Sequence, residues 1–329
     1  MDSFIFAVKA VLPIILTVAI GYLLKKKGWM SVAVAKACNK LVFRVFLPTM
    51  LFLNVYKIDG LGSINLGYMA YALIGILALF VLALPVVLFF VRKREQRGAV
   101  WQASFRSNFA LIGIPLAQSL CGSEGVAAAS LLSAATVPFL NVLAVISLSV
   151  FHTGGEKPSV KKILLGILQN PLIQSIALGL AVLGVRAIFV QQGIAFRLSD
   201  ITPLYTVLGY LSALATPLAL LCLGAQFEFS AIGSLRREII TGTLMRALVS
   251  PALGMGVAFL LFRSVFTAAQ FASLVAVFAT PVSVSSAPMA QEMGSDATLA
   301  GQLVVWTTLA SALSIFLTSF FLSLAGVFG

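Results

Sequence analysis

A chain of 329 residues that is 60% hydrophobic and only 10% charged cannot be a soluble domain, because soluble domains carry about a quarter of their residues as charges. Its mean hydropathy of +1.07 marks an all-α polytopic membrane protein. The net charge of +12 would suggest nucleic acid in a soluble chain; here the bilayer is the partner, nucleic acid is not, and the placement of the charge carries the information.

Windows of about 19 to 20 residues, the length that crosses the hydrocarbon, place ten spans. They run roughly 4–24, 38–56, 66–91, 99–121, 125–150, 161–185, 202–226, 239–262, 268–292 and 297–325. The first is read as a retained helix, since its charges follow the apolar run, whereas a secretory signal carries them in front. Lys and Arg accumulate in cytoplasmic loops. Lys25, Lys26, Lys27, Lys36, Lys40 and Arg44 fall in the first connection, and Arg92, Lys93, Arg94 and Arg97 in the third. Lys157, Lys161 and Lys162 fall in the fifth, and Arg236 and Arg237 in the seventh. The even connections hold only Lys57, Arg186, Arg197 and Arg263. Odd connections therefore face the cytoplasm and both termini face out.

The fourth span contains Asn108-Phe109-Ala110-Leu111-Ile112-Gly113-Ile114-Pro115-Leu116. Gly113 lowers helical preference, and Pro115 removes a donor and clashes with the carbonyl four residues back, so the helix should kink or unwind there. Irregular backbone at that depth is tolerated only where protein buries it or where it lines a cavity. The stretch has a second copy: Pro115-Leu116-Ala117-Gln118 before Gly122-Ser123-Glu124 recurs as Pro288-Met289-Ala290-Gln291 before Gly294-Ser295-Asp296. Pro13 to Gly21 likewise reads against Pro171 to Gly179, with Pro48 and Pro217 falling in order between. Five spans per copy insert the halves in opposite directions, an inverted repeat typical of secondary transporters. The repeats are residues 1–150 and 161–329, joined by a short hydrophilic linker over 151–160.

Asn108 is the first candidate ligand, because an amide beside a helix break can donate to a carboxylate without a buried charge; its alternative role is to cap freed backbone. Its counterpart region in the second half offers Thr280, Ser283, Ser285 and Ser286. Asn170, before Pro171, falls near mid-depth and either binds substrate or bonds a neighbouring helix. Arg106 and Arg246 lie inside spans and either attract an anion or snorkel to the cytoplasmic surface. Glu292 and Asp296 either hold a coupling cation or proton or form a solvated loop. No enzyme is expected: His152, the one histidine, lies in the linker, so a mid-membrane Ser and His pair cannot form. Cys38, Cys121 and Cys222 lack ligand or disulfide spacing, so neither a metal site nor a catalytic site nor a cofactor is expected, and a Gly-rich nucleotide loop is missing.

These residues resemble the auxin efflux carrier family, which includes plant PIN proteins and short bacterial members. The match rests on Asn108-x4-Gly113-Ile114-Pro115-Leu116, Leu47-Pro48, Asn170-Pro171, the stretch from Pro281 to Gly294 and the Ser/Thr-rich start of span ten. The resemblance implies a scaffold of spans one, two, six and seven, and a transport domain of spans three to five and eight to ten that moves as an elevator. It implies an organic anion at the crossing of spans four and nine, with Asn108 and Asn170 on its carboxylate and Leu47 lining the pocket. Ile114, Pro115 and Pro288 would shape the crossing, and Ser285 and Ser286 are candidate contacts beside them. Arg106, Arg246 and Glu292 are the candidate charge partners. By resemblance to bacterial members, the expected substrates are mono- or dicarboxylates such as malonate or malate, carried across the cytoplasmic membrane with proton or sodium coupling left open, and a homodimer through the scaffold is expected. Two departures stand out: the long hydrophilic loop of the larger plant carriers is missing, and span three has no acidic residue. A sodium-coupled carrier of the bile-acid symporter type and a non-transporting ligand sensor are the alternatives.

Overall fold

The computed structural model describes residues 2–57, 66–152, 165 and 168–328, whose named elements are all helices, with no strand among them. The helices are α1 (Asp2–Lys26), α2 (Val32–Leu41), α3 (Leu47–Tyr56), α4 (Leu66–Phe90), α5 (Arg94–Phe105), α6 (Ile114–Val150), α7 (Pro171–Gln191) and α8 (Thr202–Gln226). After a single turn at Ala231–Ser234 come α9 (Arg236–Leu244), α10 (Ser250–Phe262), α11 (Ala268–Phe278), α12 (Ser286–Glu292) and α13 (Ala297–Leu324). Among the described residues, seven stretches are long and apolar enough to cross a membrane: 32–56, 67–90, 109–150, 171–191, 202–226, 236–262 and 297–324. The predicted fourth and fifth spans fall in one run, Phe109–Val150, and the predicted ninth is split into two pieces. Leu16, Ile20, Leu82, Phe89, Val190 and Leu260 are among the large apolar side chains left exposed on these helices, as lipid contact requires. The linker beyond His152 lies outside the described residues.

Among the described residues are three π-helical turns: Val42–Phe46 and Met245–Val249 join consecutive helical segments, and Phe109–Gly113 leads into α6 after an unwound stretch. Each is followed by an α segment with proline in its first turn: Pro48, Pro115 and Pro251. The wider turn carries the proline's missing donor and moves the carbonyl four residues back out of its way. Pro115 therefore does not break its helix; it restarts one. The unwinding expected at Gly113 and Pro115 occurs earlier, at Arg106–Asn108, where Arg106 (φ −82°, ψ 112°) leaves the helical region. A second change of course comes at Cys121 (φ −139°) and Gly122 (φ 56°, ψ −140°), a left-handed-side conformation that only glycine adopts without strain.

Pro171 opens α7 rather than interrupting a span, with Asn170 as its N-cap: the Asn170 Oδ1 accepts from the Leu172 N–H at 2.9 Å. Asn170 therefore stands at a helix start within the stretch expected as span six. An Asn-Pro pair carries both start signals, a capping oxygen and a first-turn residue whose missing donor costs nothing there.

Packing sorts the helices into two groups. In one, α1 lies along α8, and α2, α3 and α7 pack with them; in the other, α11 lies along α6, while α4, α5, α9 and α13 pack together. α1 also meets α13. The α1 and α8 backbones touch at glycine: a Cβ on Gly224 would lie 1.9 Å from the Val18 carbonyl oxygen, and one on Gly21 would lie 2.2 Å from that of Leu221.

Candidate functional site

The two interrupted stretches meet. Between α5 and the π turn, and again between α11 and α12, the chain is unwound, and Ser107 pairs with Val282 as an isolated antiparallel bridge. The Asn108 N–H donates to the Pro281 carbonyl at 2.8 Å, and the Val282 N–H to Thr307 Oγ1 at 3.2 Å. Each break thus supplies acceptors or donors that the other has lost, which lipid could not do.

Arg246, fully buried, serves the same end. Its Nε donates to the Thr280 carbonyl at 2.7 Å and its terminal nitrogens to the carbonyls of Val277 at 2.6 Å and Phe105 at 3.1 Å, with a further bond to Ser250 Oγ at 3.2 Å. Ser250 in turn donates to the Phe278 carbonyl. One guanidinium therefore caps the last carbonyls of both α11 and α5. It neither snorkels nor reaches the cavity described next.

That cavity, of about 210 Å³, lies between the two helix groups. Leu47, Met50, Leu51 and Asn54 of α3, Leu172 of α7 and Ala215, Thr216 and Ala219 of α8 form one wall. The opposite wall is the first break from Arg106 to Leu111, Val137, Leu140 and Asn141 of α6, and the second break at Ser283 to Ser285. A second cavity of about 260 Å³ shares Leu51, Asn54, Ala110 and Val137 with it and continues to Ile114 and Lys57.

Arg106 is 2% exposed and does not snorkel. Its terminal nitrogens donate to Asn141 Oδ1 at 2.8 Å, Ser285 Oγ at 2.6 Å, Ser286 Oγ at 3.2 Å and Gln102 Oε1 at 3.3 Å. Every one of these partners is neutral, and among the described residues neither cavity is lined by an Asp or Glu. Asn108, 7% exposed, lines the cavity with its Nδ2 unpartnered, as does the Ser107 hydroxyl. A buried donor without an acceptor costs free energy of about 1–3 kcal/mol, which a bound anion would recover.

Of the residues singled out from sequence, Leu47, Arg106, Asn108 and Ser285 come together on the cavity, with Ser286 behind Arg106 and Ile114 on the adjoining cavity. Pro115 is exposed and Pro288 buried within α12, and neither lines a cavity. Asn170 is occupied at the α7 cap, its Nδ2 against Met293 Sδ at 3.6 Å. Glu292 faces Arg44 at 3.8 Å, and Asp296 caps α13 while accepting from Gln96 Nε2 at 3.1 Å. Sequence reasoning missed Asn141, the one amide in an otherwise apolar stretch of α6, and Asn54 in α3; an intramembrane amide is the signal that would have found them.

A cavity at mid-molecule between two packed helix groups, floored by paired helix breaks and lined by unpaired donors and a cation, defines a multi-pass membrane transport protein. A family model described as "Membrane transport protein" matches residues 6–319, and the chain belongs to that family, the auxin efflux carriers its motif resembles. It is similar, at 25% identity over 95% of its own length and 97% of the other's, to an uncharacterized transporter of Methanothermobacter thermautotrophicus. The protein is a transporter and not an enzyme.

Proposed function

We propose that the chain is a secondary carrier of a small organic anion across the cytoplasmic membrane, built as ten spans in two inverted repeats with both termini outside. The observation that carries this reading is the cavity at the paired breaks, where the unpartnered Asn108 amide nitrogen and the buried Arg106 cation face no carboxylate among the described residues. Run Phe109–Val150, at 1.5 Å per residue, is about twice the thickness of the hydrocarbon, and the turn at Cys121 and Gly122 supports its division into spans four and five. The packing groups support a scaffold of spans one, two, six and seven against a transport domain of the rest. In this reading the transport domain slides on the scaffold with the anion at the breaks. Asn108 and Ser107 meet the carboxylate, Leu47, Leu140 and Leu172 meet its hydrocarbon, and Arg106 supplies the counter-charge.

The test is uptake of labelled malonate into proteoliposomes under separately imposed sodium, proton and electrical gradients, with Asn108→Ala in parallel. A lost charge-assisted hydrogen bond of about 1.5–3 kcal/mol corresponds to roughly ten- to hundredfold in affinity. Flux that follows a gradient and falls in the variant supports the carrier; binding without flux under every gradient would mean a sensor.

A further inference from the structure

Among the described residues, the charges that line the two contiguous cavities are Arg106 and Lys57, both cationic. A third cation stands behind them, since Arg246 donates to the carbonyl of Phe105, the residue joined to Arg106. Arg106 keeps its proton in any protein environment, and all four of its described bonds go to neutral oxygens. Its charge is therefore met by neutral dipoles alone among the described residues, as that of Arg246 is, but Arg106 borders the cavity, where an anion can reach it, whereas Arg246 cannot be reached.

We propose that Arg106 is the specificity-determining residue of the site, and that it sets the ligand as a compact dianion in preference to the equivalent monoanion. This rests on the carrier's anion site described above and deepens it. One negative group balances Arg106. With Arg246 beyond Phe105 and Lys57 on the adjoining cavity, the local field stays positive after that first charge is met, so a second is attracted rather than repelled. The geometry offers the route for the first: Arg106 donates to Ser285 Oγ, which lies 2.9 Å from Ser283 Oγ, and Ser283 lines the cavity. The guanidinium thereby polarises a chain of two hydroxyls in which one proton makes the Ser283–Ser285 bond and the other is free to be donated to the ligand, the cooperative form of a charge-assisted bond. A neutral site with the same hydroxyls and amides would bind a monoanion as well as a dianion.

The experiment uses purified full-length protein and ligand pairs that share a skeleton but differ by one charge: malonate with monomethyl malonate, and succinate with monomethyl succinate, at neutral pH. Binding is followed by thermal stabilisation and by titration calorimetry. The dianion of at least one pair should bind about tenfold or more tightly than its half-ester in the wild type, a small part of the Coulomb energy of unit charges at contact distance. In Arg106→Gln that ratio should fall to about one, while Arg106→Lys should keep the preference at lower affinity, since charge is retained and the fork is lost. Half-esters that bind the wild type as tightly as the diacids would overturn the proposal without any variant, should Arg106→Gln fail to fold. So would a ratio that Arg106→Gln leaves unchanged, or a wild-type protein that binds no member of either pair. The carrier reading fails separately, by binding without flux in proteoliposomes.

Discussion

Replacing Arg246 by methionine should destabilise the protein more than any change at the cavity, because the side chain holds backbone rather than ligand. Methionine keeps the apolar stem and removes three charge-assisted bonds to buried carbonyls, those of Thr280, Val277 and Phe105. Each acceptor left without a donor costs about 1–3 kcal/mol, while removing a desolvated cation returns part of that. Deleting one partner from a buried ionic arrangement typically costs about 3–5 kcal/mol, and we expect a value in that range. The assay is thermal unfolding in detergent, followed by a thiol-reactive dye that reports exposure of the buried Cys222. Arg246→Lys, with three donors and no planar fork, should recover part of the loss. A methionine variant that melts with the wild type yet fails to bind anion would refute the reasoning and return Arg246 to the ligand.

Gly224→Ala should lower the melting midpoint, because its Cβ would meet the Val18 carbonyl at 1.9 Å and overpacking of this kind costs about 1–3 kcal/mol; an unchanged midpoint would mean that α1 and α8 do not pack as described. Asn170→Ala should lose about 1 kcal/mol of α7 capping with anion affinity unchanged. A titration showing weakened binding in that variant would place Asn170 on the substrate after all.

Much of the site was legible because breaks in membrane helices have few causes. The repeated Gly and Pro segments located the crossing, and the polar residues beside them, Asn108, Ser285 and Ser286, proved to be at it or against Arg106. What sequence could not give was the distribution of the two arginines. Arg106 and Arg246 occupy similar depths in their spans, and from sequence snorkelling accounts for both at least as well as an anion site does. Only the fold shows that one ends α5 beside the cavity, whereas the other is wrapped by the carbonyl ends of two helices. Asn170 carries two signals at once, a polar group within a membrane span and a helix-start residue before proline, and the structure shows the second. The position of the first unwinding escaped as well, since π turns absorb a proline that single-residue rules expect to break the helix.

The same bonds bear on how such a carrier could move. Arg246 ties the end of α5 to the end of α11, and the Ser107–Val282 bridge joins the two breaks directly, so both breaks and the cavity wall they form must travel as one body. Polar bonds between the two helix groups gather instead around residues 291–293 and Gln302. Asn39 donates to Gln291, Gln291 donates to the Lys36 carbonyl, Arg44 faces Glu292, Asn170 reaches Met293, and Gln302 reaches the Glu228 carbonyl. In the proposed topology these lie on the cytoplasmic side, whereas the adjoining cavity runs the other way, to Lys57. In the elevator reading these contacts are the ones each cycle must break, and they are suited to it. They comprise single hydrogen bonds and one ion pair with a partly exposed partner, each worth about 1 kcal/mol or less, against several buried charge-assisted bonds that hold the moving body together.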